Sequence, residues 1–162
     1  MDPTPLDILY AKLIEIFSAN TVIAAAIKQR NIIAFDEVKN DPQKKGVTSN
    51  DLPELVCYMG GFNGNLHSST NTERVRTRWN LVLTSGTFDS RIIHGLSYGA
   101  WTTLRTWKDT LYPLQYNSKP FVLDCNWTDC TTGQTEDQYN RNIRGWVSIV
   151  AFEISLTLPS AL

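Results

Sequence analysis

The run Gly145–Leu158, GWVSIVAFEISLTL, alternates from end to end. Trp146, Val150, Phe152, Ile154, Leu156 and Leu158 fall at even positions, interrupted only by Ser148. A repeat of two is what a strand with one buried face demands. Burying six such side chains contributes roughly 9–18 kcal/mol, at about 1.5–3 each, as an upper bound. This is a core strand, and the rest of the chain must supply its partners. The odd positions divide: Val147, Ile149 and Ala151 are apolar, whereas Glu153, Ser155 and Thr157 are polar. The pattern predicts cover on both sides of the first half and on one side of the second. Cover over Val147 and Ile149 comes either from this chain's own loops or from another chain.

Working back from that strand, Phe121–Trp127 reads as another, followed by a polar turn region over 128–142. Asp89 or Ser90 caps a long helix reaching about Leu111, where Pro113 stops it. Its stripe is Ile93, Leu96, Ala100, Leu104, Trp107 and Leu111, the spacing of a core-facing helix. Glu73–Thr84 alternates clearly, with Val75, Thr77, Trp79, Leu81 and Leu83 on one face and Arg74, Arg76, Arg78 and Asn80 on the other. Residues 60–71, GGFNGNLHSSTN, read as a long turn-rich connection, and 52–59 as a strand whose Pro53 marks a beginning or a sheet edge. Residues 36–51 are polar, with Pro and Gly, a loop longer than compact domains usually keep without a function.

Nearer the start, Asn31–Phe35 reads as a strand by its β-branched pair. Asn20 or Thr21 caps a short helix to about Gln29. Thr4-Pro5-Leu6-Asp7 opens an amphipathic helix over 5–18, with a capping Thr, Pro at the first helical position and an acid three residues after the cap. The order is helix, short helix, three strands, long helix, two strands. Strands in runs favour an α+β fold. The expectation is a single mostly antiparallel sheet of about five strands, with the N-terminal helix and one long helix packed on one face and extended hairpin loops.

The 162 residues are read as one domain, 1–162. Composition is ordinary for a globular chain, and a net charge of −1 points neither to nucleic acid nor to an anionic membrane. No apolar run approaches membrane-spanning length, and Met1-Asp2-Pro3 does not read as a signal peptide. Three cysteines give no disulfide framework; Cys125 and Cys130 are close enough in sequence to bridge a bent strand end, but three reduced thiols is the simpler expectation. Asn126-Trp127-Thr128 has the form of a glycosylation acceptor and is read as chance.

Chemistry is hard to find. His67 and His94 have no acid or second histidine at metal-ligand spacing. Gly60, Gly61 and Gly64 lack the Lys-Ser/Thr of a phosphate loop, and there is no G-x-S-x-G elbow. The stretch from Asp124 to Asp129 fails as an EF-hand, with Asp129 at the required Gly and Thr135 at the bidentate Glu. The cysteines have no His-based activation, and paired acids such as Asp36-Glu37 sit in a solvated loop. The expectation is no catalytic residue, no cofactor and no metal.

The ladder Arg74, Arg76, Arg78 is different in kind. Like charges two residues apart share one strand face and repel unless anions lie opposite. It is either a solvated outer face, a surface for a neighbouring subunit's acids (Asp36, Glu37, Asp51 or Glu54), or a nucleic-acid patch. Arg141 and Arg144 are candidates to extend it. Trp101 and Tyr98 lie off the helix stripe beside Arg105 and Lys108, either as an interface or as the rim of the core.

The arrangement resembles the tail terminator (tail completion, neck) proteins of long-tailed bacteriophages. The stretches that carry the likeness are Leu6–Phe17, Asp51-Leu52-Pro53-Glu54-Leu55-Val56 with its Gly/Asn-rich loop, Arg74–Thr84 leading into the long helix, and Arg144-Gly145-Trp146 entering the last strand. The order of elements carries more of it than any residue. The resemblance implies a ring, usually a hexamer, that caps the finished tail tube and offers a docking face to the head–tail connector. Such proteins work in the host cytoplasm and then in the virion, need no active site, and let DNA pass through their lumen without specific binding. The expectation is a virion structural protein, with the arginine ladder, Val147 and Ile149 and the loops 36–51 and 60–71 as contact surfaces. Another neck, connector or tube-end protein is the alternative of the same class; a small ligand-binding domain or hydrolase is the alternative of another.

Overall fold

In a computed structural model, which describes residues 2–28, 32–34, 53–67, 72–87, 89–136 and 144–159, the strand that opens the sequence argument lies inside a five-stranded sheet. The elements are α1 (Pro5–Ala19), α2 (Thr21–Ala26), β1 (Ile32–Ala34), β2 (Glu54–His67), β3 (Thr72–Thr84), α3 (Ser90–Arg105), α4 (Trp107–Thr110), β4 (Gln115–Tyr116), β5 (Lys119–Pro120), β6 (Val122–Glu136) and β7 (Arg144–Pro159). The sheet order is β1-β2-β3-β7-β6, antiparallel except for the three-residue β1, which runs parallel to β2. The fold is the expected α+β layer.

The even face of β7 is core: Ser148, Val150, Phe152, Ile154 and Leu156 are buried, and Trp146 and Leu158 half-buried. On β3 the same side holds Val75, Thr77, Trp79, Leu81 and Leu83, all buried. Helices α1 and α3 close this face with Leu9, Leu13, Ile16 and Phe17 and with Ile93, Leu96, Ala100 and Leu104. Trp79 stacks on Phe152 at 6.3 Å, and the edges of Phe17 and Tyr10 close on that pair. The polar atoms inside are paired, as burial requires. Trp79 Nε1 donates to Thr77 Oγ1 at 2.7 Å, and that hydroxyl donates to the Ile154 carbonyl at 2.8 Å. Where the β2 register shifts between Met59 and Gly61, the Met59 N–H donates to the Tyr10 hydroxyl at 2.7 Å.

Local chemistry sets the helix ends. Thr4 and Asp7 form a reciprocal capping box at α1, and the two hydrogen bonds from Thr4 hold the Asp7 carboxyl below its usual pKa. Asn20 is the cap of α2: its Oδ1 accepts from Val22 N and Ile23 N, while Nδ2 donates to the Gly99 carbonyl and to Thr103 Oγ1 on α3. The Asn20 side chain thus ties α2 to α3, while its backbone N–H donates to the Phe17 carbonyl at the end of α1.

Several boundaries differ from the sequence reading. Strand β2 does not end at Met59 but runs through Gly60, Gly61 and Gly64 to His67, because every one of these positions is carried by the β3 ladder or its bulge. Strand β6 likewise continues past Trp127 to Glu136, paired to β7 throughout. Helix α3 ends at Arg105, and a break at Thr106 separates it from the single turn of α4. A small β4–β5 hairpin, not foreseen, turns on Asn117 and Ser118 at φ 50° and 63°, the left-handed pair of a type I′ turn. The loop 36–51 and the tips 68–71 and 137–143 lie outside the described residues.

The open face of the sheet as a candidate interaction surface

The register fixes which side chains share the face opposite the helices. Across β2, β3, β7 and β6 the rows read Glu54–Thr84–Val147–Gly133, Val56–Val82–Ile149–Thr131, Tyr58–Asn80–Ala151–Asp129, Gly61–Arg78–Glu153–Asn126 and Asn63–Arg76–Ser155–Asp124. None of these residues is buried. Among the described residues the first half of β7 is therefore covered fully on its even side and only in part on its odd side: Val147 and Ala151 are half-buried and Ile149 is 43% exposed. Packing of α1 and α3 on one side leaves the apolar odd positions on the other.

Two zones result. One end carries Val56, Val82, Val147 and Ile149, an apolar patch in adjacent rows. The other carries Arg74, Arg76 and Arg78, all exposed. Glu153 stands opposite Arg78 in the register, but among the described residues only Arg76 has an acid within ion-pair distance, its Nε 3.8 Å from Glu153 Oε2, at the outer limit and exposed to screening. A concave depression of about 1030 Å³ lies at this charged end, walled by Arg74, Arg76 and Asn63 on one side and Asp124 and Leu123 on the other. Leu123 is 41% exposed at its rim.

Of the acids considered as partners of the ladder, Asp36, Glu37 and Asp51 lie outside the described residues. Glu54 stands in the row of Thr84 and Val147, at the far end of the face from Arg74. Arg144 pairs with Glu136 beyond that same far end, so it does not extend the ladder, which occupies the Thr157 end of β7; Arg141 lies outside the described residues.

The sequence reading missed Asp124 and Asp129 as members of this face. A period of two from Asp124 gives Asn126 and then Thr128. The register of β6 shifts between Trp127 and Asp129, and this bulge turns Asp129 to the side of Asp124. Each carboxylate accepts the N–H of the next residue, Cys125 at 2.9 Å and Cys130 at 2.8 Å. Nothing in the residue pattern signals a bulge there.

The outer face of α3 is a second exposed surface. Tyr98 is 62% exposed, its ring 5.7 Å from that of the half-buried Trp101, over which Arg105 lies at 5.0 Å. The two residues differ: Trp101 belongs to the rim of the fold, and Tyr98 to its surface.

Reactive groups are not gathered. His94 is exposed on α3, and His67 lies on β2. Burial pushes the Cys57 and Cys125 thiols up to about 12, the latter helped by Asp124. Cys130 is exposed, and all three cysteines are free. Among the described residues no three His, Cys, Asp or Glu side chains stand close enough to hold a metal ion, and no helix is long and apolar enough to cross a membrane. No protein-family model matches this chain, and no curated protein does.

Proposed function

We propose that this chain is a structural subunit that assembles through the open face of its sheet into a ring of the tail terminator kind, capping a phage tail tube and meeting the head–tail connector. The observation that carries the proposal is the two-zone open face: an apolar patch around Ile149 at 43% exposure and, beyond one intervening row, an arginine ladder in which only Arg76 has an acid within ion-pair distance among the described residues. Exposed apolar residues grouped on one face mark interaction surfaces in soluble proteins. The long hairpins add to the case. Strands β2 and β3 stay paired out to His67–Thr72, at the Thr157 end of β7, and β6 and β7 out to Glu136–Arg144, at its Gly145 end, so the two hairpins extend to opposite ends of the sheet. A subunit joining a tube below to a connector above needs contacts at both ends.

On this reading the protein performs no catalysis, needs no cofactor, and resides in the virion after assembly in the host cytoplasm. A ring is built from heterologous contacts that close, and a hexamer matches the sixfold count that the resemblance implies. The lumen passes DNA without reading it, and the ladder serves protein contact rather than nucleic acid. Mixing purified chain with tail tubes tests the role. Labelled chain seen at tube ends by electron microscopy, with tube length no longer growing, supports it. Chain that stays monomeric and unbound with tubes present contradicts it.

A further inference from the structure

We infer that the partner of the arginine ladder is the β6 edge of a second copy of this chain, with Arg74 and Arg78 meeting Asp124 and Asp129 across the subunit contact. This rests on the reading of the chain as a self-assembling subunit and names the two surfaces that meet.

The two arginines and the two aspartates are equally spaced. Arg74 stands opposite Thr157 and Arg78 opposite Glu153; Asp124 stands opposite Ser155 and Asp129 opposite Ala151. Each pair spans the same step of β7 (157 to 153, and 155 to 151), about 13 Å at roughly 3.3 Å per residue. The β6 bulge makes this match, because it keeps Asp129 on the face of Asp124.

Their charges are opposite. Strand β6 runs Val122–Glu136 with acids and no Lys or Arg. The middle arginine of the ladder is the one that Glu153 approaches within its own chain, at 3.8 Å. Among the described residues the outer two have no acid within ion-pair distance, and neither Asp124 nor Asp129 has a cation there. Two unneutralised cations and two unneutralised anions at equal spacing are complementary.

The aspartates are also accessible. Strand β6 is the last strand of the sheet, so among the described residues its outer edge has no neighbouring strand. Its bulges blunt simple strand addition and present the carboxylates instead. Nucleic acid is the weaker partner for the ladder, because the chain as a whole carries a net charge of −1.

Charge exchange tests the pairing. One variant carries Arg74→Asp and Arg78→Asp, the other Asp124→Arg and Asp129→Arg, and self-association is followed by analytical ultracentrifugation. Each variant alone is expected to lose association by roughly tenfold or more, and an equimolar mixture to regain it, since every mixed contact then sets acid against base. The neutral pair Asp124→Asn and Asp129→Asn keeps the hydrogen-bond acceptors of β6; it is expected to weaken association in the same direction and serves where a reversed chain does not fold. Wild-type association with either variant unaffected, or a mixture of folded variants that stays monomeric, overturns the pairing while leaving the ring reading in place. A wild-type chain monomeric at every concentration overturns both.

Discussion

Ser148 Oγ on the buried face of β7 lies 2.8 Å from Ser97 Oγ on α3. The residue that interrupts the apolar alternation of β7 is thus the point where the strand is hydrogen-bonded to the long helix. Ser97 also reaches the Ile93 carbonyl at 2.8 Å, and Cys130 and Thr132 of β6 approach Ser148 at 3.4 and 3.5 Å. The group is fully buried at Ser148, so its partners matter more than its small size. Ser148→Ala is expected to cost about 1 kcal/mol in urea unfolding, because Ser97 retains the Ile93 carbonyl.

Asn20→Ala removes more. It takes away the cap of α2 and the donor to Thr103 Oγ1, together with one of the donors to the Gly99 carbonyl, which keeps the Thr102 and Thr103 hydroxyls. The expected loss is about 2–4 kcal/mol. Asn20→Asp keeps the acceptor for Val22 N and Ile23 N but not the donor, and its midpoint should lie between wild type and Asn20→Ala.

Gly145 is set by close approach rather than by turn geometry. A Cβ there would overlap the backbone carbonyl oxygen of Ser85, at the point where Ser85 N donates to the Trp146 carbonyl at 2.9 Å. Gly145→Ala must shift one backbone against the other, and thermal unfolding should show a large drop in Tm, whereas Gly133→Ala meets open space and should be nearly neutral.

The buried thiols give a signed pH dependence. In the folded chain Cys57 and Cys125 are raised from 9.0 to about 12 by burial, so the folded state holds protons that the unfolded state releases. Their contribution is complete below about pH 9 and is lost as pH rises towards 12. Denaturant titrations over that window should fall more steeply for wild type than for the Cys57→Ala, Cys125→Ala double variant. In the native state at neutral pH, a maleimide should label Cys130 alone, with the other two thiols reacting only on unfolding.

Much of this fold was legible because its central strands obey one rule each. Strands β3 and β7 show a clean period of two, and α1 and α3 carry regular stripes, so the sheet-and-helix layer followed from burial alone. The ends of β2 and β6 were hidden for a common reason. Gly60, Gly61, Asn63 and Gly64, like Asp129 and Gly133, are turn-forming types that here sit in ladders because a long partner strand holds them. Tertiary pairing overrides local propensity at such positions. The arginine ladder was visible in the sequence as an unusual repeat, but its match to Asp124 and Asp129 was not, since it depends on strand order and on one bulge.

The most direct test of assembly through the open face is the solution mass of the wild-type chain and of Ile149→Asp, measured side by side by sedimentation. Ile149 is 43% exposed on a face that the helices leave free, so a charge there should leave the fold intact, with an unchanged circular dichroism spectrum. The account predicts a closed oligomer for the wild type and a soluble, folded monomer for the variant. A variant that assembles like the wild type, or a wild type that is itself monomeric, would contradict it.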